Sequence, residues 1–339
     1  MEDRSSRTSD TPSKHVRRAL ALTVTENVRI CDEHYRLVMR CPPEIGARPG
    51  QFLQLRCGQW SDQGEQDRAE AIDENQWGGA SLRWAGGPVL LPRPFSLAGV
   101  RTVDGQTEVD ILYRVVGPGT TWMSGLRAGD TVAALGPLGN GFDVPSDRPR
   151  AYLVGGGVGL PPMIWLAECL RAAGHDVVAF CGAKTGRLTA LTLAGAPSTD
   201  PTEARMTAEE FARHGTPVIL TTDDGSLGVK GLVNSAMEAY HAAHPSANDR
   251  LIVYTCGPEP MMRAVAHWCL DRGIRCQVCM ERMMACGIGT CQSCVVAIQD
   301  ASAPAGYVYK LCCADGPVFD ARDVVWDQPV PRAAYTPPY

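Results

Sequence analysis

Ala151-Tyr-Leu-Val-Gly-Gly-Gly-Val-Gly159 is the stretch that decides the architecture. An apolar strand, Ala151–Val154, runs straight into a glycine turn, Gly155–Gly159. An apolar helix is then expected from about Pro161 to Ala173. Pro161 and Pro162 suit its first turn, where a backbone N–H has no intrahelical partner. A glycine turn after a strand and opening a helix is where the pyrophosphate of a dinucleotide rests on backbone N–H groups. Taken alone the run is weak evidence, because it departs from G-x-G-x-x-G and glycine turns are common.

Downstream, the alternation of strand and helix continues. Strands are expected at Asp176–Cys181, Pro217–Thr221, Leu251–Thr255 and Ile274–Met280. Helices are expected around Ala208–His214, Gly231–Ala243 and Glu259–Arg272. That pattern predicts a doubly wound α/β domain with a mostly parallel sheet over residues 149–280. A second turn, Cys256-Gly257-Pro258, again follows a strand and precedes a helix. Ligands bind at the carboxyl ends of strands in such sheets, so both turns are expected to face one crevice.

Upstream the pattern differs. Short β-rich runs at Ala19–Val28, Tyr35–Arg40, Gln51–Arg56, Phe95–Val100, Glu108–Val116 and Thr131–Leu135 are separated by Gly/Pro turns. They predict an antiparallel β-barrel over residues 16–148. An acidic stretch, 58–88, reads as a surface insertion into that barrel, and residues 1–15 read as a disordered tail. Within the barrel region, Arg93-Pro94-Phe95-Ser96 opens a strand. There an arginine can clamp a phosphate and a serine hydroxyl can reach a ring nitrogen. Leu112-Tyr113-Arg114 offers an aromatic for stacking and a second arginine. Gly117-Pro-Gly119-Thr120-Thr121 is expected to open a short helix.

In the last segment, 281–339, Cys286, Cys291 and Cys294 are spaced C-x4-C-x2-C, and Cys312-Cys313 follows. That is the plant-type [2Fe–2S] spacing, with three thiolates from one loop and a fourth from a distance. Gly287 and Gly289 supply backbone freedom between the first two cysteines. Structural zinc is the competing reading, since Cys276-Gln-Val-Cys279 with Cys291-Gln-Ser-Cys294 makes a pair of C-x2-C motifs. It leaves Cys286 unexplained and puts the first pair on a strand.

Composition narrows the class. The 339 residues suggest two or three domains, and 45% hydrophobic residues suffice for real cores. A net charge of −5 without a basic tract argues against nucleic acid. No apolar run reaches the length of a membrane span. Fourteen cysteines behind a polar N-terminus point to reduced thiols or metal ligation in the cytoplasm.

Taken together, the sequence resembles the ferredoxin–NADP reductase superfamily, and within it the iron–sulfur electron-transfer subunits of class 1B dihydroorotate dehydrogenases. The resemblance covers about Val16 to Val325 without the insertion. It rests on Arg93–Ser96, Gly136-Pro-Leu-Gly-Asn-Gly-Phe142, Gly155–Pro162, Cys256-Gly-Pro-Glu-Pro-Met261, Ala285-Cys-Gly-Ile-Gly289 and Asp315-Gly-Pro-Val-Phe319. It implies that FAD is held by Arg93, Pro94, Phe95 and Ser96, by Leu112, Tyr113 and Arg114, and by Gly119 and Thr120. It implies NAD at Gly155, Gly156, Gly157 and Gly159 with Cys256, Gly257 and Pro258. It implies a [2Fe–2S] cluster on Cys286, Cys291, Cys294 and Cys313, the last chosen over Cys312 by its distance from the Asp-Gly-Pro-Val-Phe run.

The implied function is electron transfer. An FMN-containing dihydroorotate dehydrogenase catalytic subunit oxidises dihydroorotate, and electrons pass through the cluster and FAD to NAD⁺, in a heterotetramer of two of each chain. Lys184 and Arg187, after the second strand of the α/β domain, could meet an NADP 2′-phosphate, but exposed basic residues there are more often just solvated, and the resemblance favours NAD. The alternatives are an NADH-dependent ferredoxin or sulfide reductase, an electron-bifurcating subunit, and a non-enzymatic zinc-stabilised module.

Overall fold

The computed structural model describes residues 17–41, 45–58, 91–245 and 247–327. The expected tail, nearly all of the acidic insertion and residues 328–339 lie outside the described residues. Six strands, β1 (Arg18–Cys31), β2 (His34–Cys41), β3 (Phe52–Leu55), β4 (Arg93–Val103), β5 (Gln106–Arg114) and β6 (Thr131–Leu138), close an antiparallel barrel in the order β1-β2-β5-β4-β3-β6. Each falls on one of the runs expected from sequence. Side chains alternate across a strand. On β3, Leu53 and Leu55 point into the barrel core, while Phe52 joins the core outside it. A short helix, α1 (Pro118–Ser124), follows β5.

Residues 150–279 form the expected doubly wound domain. Its elements are β7 (Arg150–Gly156), α2 (Leu160–Ala172), β8 (Asp176–Ala183), α3 (Glu209–Ala212), β9 (Val218–Thr222), β10 (Val229–Lys230), α4 (Val233–Ala243), β11 (Leu251–Cys256), α5 (Glu259–Leu270) and β12 (Arg275–Cys279). The third helix is shorter than the pattern predicts, only one turn. Alternation sorts the strands between two cores: Ala151 and Leu153 pack with α2, and Tyr152 and Val154 with α4 and α5. Trp165 of α2 turns away from the sheet into the barrel core. One helix therefore welds the two units, and each such large buried side chain contributes roughly 1.5–3 kcal/mol.

The C-terminal segment adds β13 (Val295–Gln299) and β14 (Tyr307–Leu311), an antiparallel hairpin, and β15 (Val318–Asp320). β15 pairs antiparallel with β12 and completes the sheet order β10-β9-β8-β7-β11-β12-β15, which is otherwise parallel. The chain winds one way from β7 and the other way from β11, so the strand order reverses between these neighbours. A crevice at that reversal is where an open α/β sheet binds its ligand.

Candidate active site

The two glycine turns meet at the reversal. Cys256 is in register with Gly155 across β11 and β7, and a side chain on Gly159 would run into the Cys256 carbonyl. Glycine is required there because the backbones touch. Gly257 has φ +143° and sits against the carbonyl of Gly156. Gly155, Gly159 and Gly257 thus hold the turns together. Gly156, Gly157, Cys256 and Pro258 line the opening itself.

That opening is a cavity of about 980 Å³, walled by the barrel, the sheet and the start of the cysteine segment. Such a volume is large enough for a cofactor. Arg93, Pro94, Phe95 and Ser96 line it from β4. Leu112, Tyr113 and Arg114 line it from β5, with Gly119 and Thr120 at α1. The three segments separated in sequence therefore form one wall. A Cβ on Gly119 would stand 3.8 Å from the Arg93 side chain, so the first and third segments are in contact.

Fixed partners hold this wall. Tyr113 stacks on Tyr35 with ring centroids 5.6 Å apart, meets Phe95 edge-on and donates its hydroxyl to Asn27 at 3.2 Å. Burial raises its phenol well above the usual range. The Thr120 hydroxyl accepts from the N–H groups of Val116 and Gly117, so it shapes the turn. Arg114 is paired with Glu33 at 2.7 Å, a partner sequence reasoning missed because it lies across a strand pair on a turn. Of the two cations considered for a 2′-phosphate, Lys184 lines the cavity, whereas Arg187 is engaged with Asp32 of the barrel at 2.6 Å.

The cysteine loop begins at the other side of the same cavity, where Met280, Glu281, Arg282 and Met284 line it. Positive φ at Gly287, Gly289 and Gln292 curls the loop. The Cys286 sulfur accepts from the N–H groups of Ile288 and Cys291, each at 3.4 Å, and the Cys294 sulfur accepts from the Cys313 N–H at 3.4 Å. The four expected ligands therefore come together as two pairs, Cys286 with Cys291 and Cys294 with Cys313. No three His, Cys, Asp or Glu side chains among the described residues converge on a point that could hold a metal ion. Two pairs suit a two-iron cluster, two thiolates to each iron.

The zinc pairing fails on geometry. Cys276 and Cys279, both on β12, face opposite cores of the sheet and cannot share an ion. Hydrogen bonds from Ser293 and from backbone pull the exposed Cys291 thiol down to about 6, whereas burial pushes Cys313 up to about 12. Cys312 turns away and donates its S–H to the Met280 carbonyl at 3.1 Å.

A closed flavin-type barrel and a nicotinamide-type sheet around one cavity, with the start of a segment of paired cysteines in its wall, define an iron–sulfur flavoprotein reductase of the ferredoxin–NADP reductase type. The comparisons agree. Residues 281–325 match the iron–sulfur cluster binding domain of dihydroorotate dehydrogenase B, and residues 153–267 match the oxidoreductase NAD-binding domain. The chain is 32% identical over 303 residues to the dihydroorotate dehydrogenase B (NAD(+)) electron transfer subunit of Caldanaerobacter subterraneus subsp. tengcongensis, covering 89% of this chain and 97% of that one. It is 38% identical over 239 residues to the subunit of the same name from Geobacillus kaustophilus, covering 70% and 80%. The chain belongs to the family of dihydroorotate dehydrogenase B electron transfer subunits.

Among solved structures, it is similar to an NADH-dependent reduced ferredoxin-NADP oxidoreductase (TM-score 0.67, 25% identity, 90% of each chain). The cytochrome b5 reductase domain of Ulva prolifera nitrate reductase shares the fold (TM-score 0.52, 16% identity, 76% of this chain and 94% of that one). This chain is an oxidoreductase subunit whose domains serve FAD, an iron–sulfur cluster and NAD. No helix among the described residues is long and apolar enough to cross a membrane.

Proposed function

We propose that this chain carries electrons from an FMN-containing, dihydroorotate-oxidising partner, through a [2Fe–2S] cluster on Cys286, Cys291, Cys294 and Cys313 and an FAD on the barrel, to NAD⁺. Flavin supplies the needed chemistry when bound, because it exchanges hydride with nicotinamide and single electrons with a cluster. Everything else falls to the protein. Arg93–Ser96, Leu112–Arg114 and Gly119–Thr120 orient the flavin in one wall of the cavity. Gly156, Gly157, Cys256 and Pro258, which line the same cavity, would hold the nicotinamide nucleotide, and Lys184 would add positive charge for its phosphates.

The observation that carries this reading is the gradient of burial across the four thiols. Cys291 is exposed and Cys286 partly so, whereas Cys294 and Cys313 are buried in the core shared with α4 and α5. One pair can face a partner while the other faces the flavin. Met283 and Ile288 stand exposed beside the outer pair, apolar side chains suited to a docked subunit. The family names imply a catalytic subunit as that partner, and we place two copies of each chain in a cytoplasmic assembly.

Copurification with a dihydroorotate-oxidising subunit, followed by an assay of dihydroorotate-dependent NAD⁺ reduction, tests the proposal. Cys291→Ser is expected to abolish that reaction while bound FAD and NADH–dye activity persist. Equal loss of both activities would contradict the assigned order of carriers.

A further inference from the structure

Gln54 lies on β3 with 2% of its surface exposed, and neither its Nε2 nor its Oε1 has a hydrogen-bond partner among the described residues. A buried carboxamide offers two donors and one acceptor, and leaving all of them unused is costly. Alternation places it on the outer wall of the barrel, between inward-facing Leu53 and Leu55. Its strand neighbour is Pro94 of the flavin segment. Gln54 itself does not face the cavity. Its side chain fills the space where a Cβ on Gly287, the residue after Cys286, would stand, so any side chain there would collide with the amide. The orphaned amide therefore ends at the cysteine loop, one strand away from the flavin wall.

We propose that the Gln54 carboxamide donates a hydrogen bond into the sulfur cage at the Cys286 end of the loop and so sets the potential of the cluster. This inference rests on the electron-transfer reading above. Nothing but glycine fits at 287, which has φ +71°, so the loop is built to admit the amide. Donors to cluster sulfurs stabilise the more negative reduced form and raise its potential. Gln54 is a positioning residue of the barrel that acts on the neighbouring unit. Its effect is to keep the cluster reducible from one side and oxidisable by the flavin from the other.

The test uses the full chain with its cofactors, compared as Gln54→Leu, Gln54→Met and Gln54→His. Iron and labile sulfide are counted first, because their absence from the unsubstituted protein would refute the cluster itself and not this inference. EPR-monitored redox titration then reads the cluster, and visible absorbance reads the flavin. The apolar variants are expected to lower the cluster midpoint and leave the flavin midpoint in place, and Gln54→His, which keeps a donor, is expected to recover part of the shift. Cluster loading in Gln54→His alone would also support a required donor. An unchanged cluster midpoint in either apolar variant that retains iron and sulfide would overturn the proposal. So would failure of all three variants to load a cluster, since shape and not the donor would then be what matters.

Discussion

Asn140 grips Val318 from both sides of its side chain: Nδ2 donates to the Val318 carbonyl at 2.8 Å, and Oδ1 accepts from the Val318 N–H at 2.9 Å. The same Nδ2 also reaches the Asp315 carbonyl at 3.1 Å. Asn140 follows the last barrel strand, and Val318 starts the strand that carries the cysteine segment back into the α/β sheet. Gly139 packs so closely on Pro317 and Gly316 that a side chain there would collide with both. Two motifs far apart in sequence, Gly136–Phe142 and Asp315–Phe319, are thus one joint, and the joint fixes the cysteine unit against the flavin barrel.

Asn140→Ala should therefore loosen the cysteine unit. It removes the partners of buried backbone groups on β15, a loss of roughly 1–3 kcal/mol per unsatisfied group. Thermal unfolding should shift down, and iron should leave faster under chelator than from the parent protein. An unchanged iron-release rate would show that β15 pairing with β12 alone holds the segment.

Nucleotide preference gives a second prediction. Lys184 lines the cavity, whereas Arg187 is committed to Asp32. Lys184→Ala should raise the KM for NADH about tenfold, equivalent to about 1.4 kcal/mol. Arg187→Ala should leave the NADH-to-NADPH preference as it was and cost at most about 1 kcal/mol of stability, as an exposed ion pair does. A switch in preference on Arg187→Ala would mean that the arginine leaves Asp32 to meet the nucleotide.

Acid should weaken the fold through His34. Burial is the main cause that lowers its pKa below the ordinary 6.5, although the Asp32 carbonyl against Nδ1 opposes it. Its Nε2 has no hydrogen-bond partner among the described residues. The folded state holds this imidazole neutral, and the unfolded chain takes up the proton first. Stability is therefore fully present above about pH 6.5 and declines as pH falls toward the folded pKa. In Tm measurements across that window, His34→Gln should show a shallower pH slope than the parent. Parallel slopes would remove His34 as the cause, leaving His214 and His241, which burial also lowers.

Much of this architecture was legible in sequence because its signals are local. Apolar runs broken by Gly and Pro marked the six barrel strands. Strand–glycine–helix succession marked the sheet, and C-x4-C-x2-C marked the cluster loop. What escaped was set by distant contacts. β15 is three residues long and becomes a strand only because β12 offers an open edge, so no local pattern announces it. The hairpin of β13 and β14 lay in a segment read for its cysteines. Sequence left Arg187 open between a phosphate contact and a solvated cation, and the fold instead delivers Asp32 to it from 155 residues away. Gln54 gave no signal at all, since a single glutamine in a strand becomes unusual only when its surroundings are known to be dry. The Arg93–Ser96 segment was legible, but its contact with Gly119 was not.

Anaerobic reduction of the purified chain by NADH, followed by EPR and by iron and labile-sulfide analysis, tests the central claim most directly. A flavin-linked two-iron cluster predicts stoichiometric iron and sulfide and a reduced-cluster signal that grows as NADH is consumed. Protein that binds FAD and oxidises NADH with a dye, yet contains no iron or sulfide and shows no such signal, would contradict it.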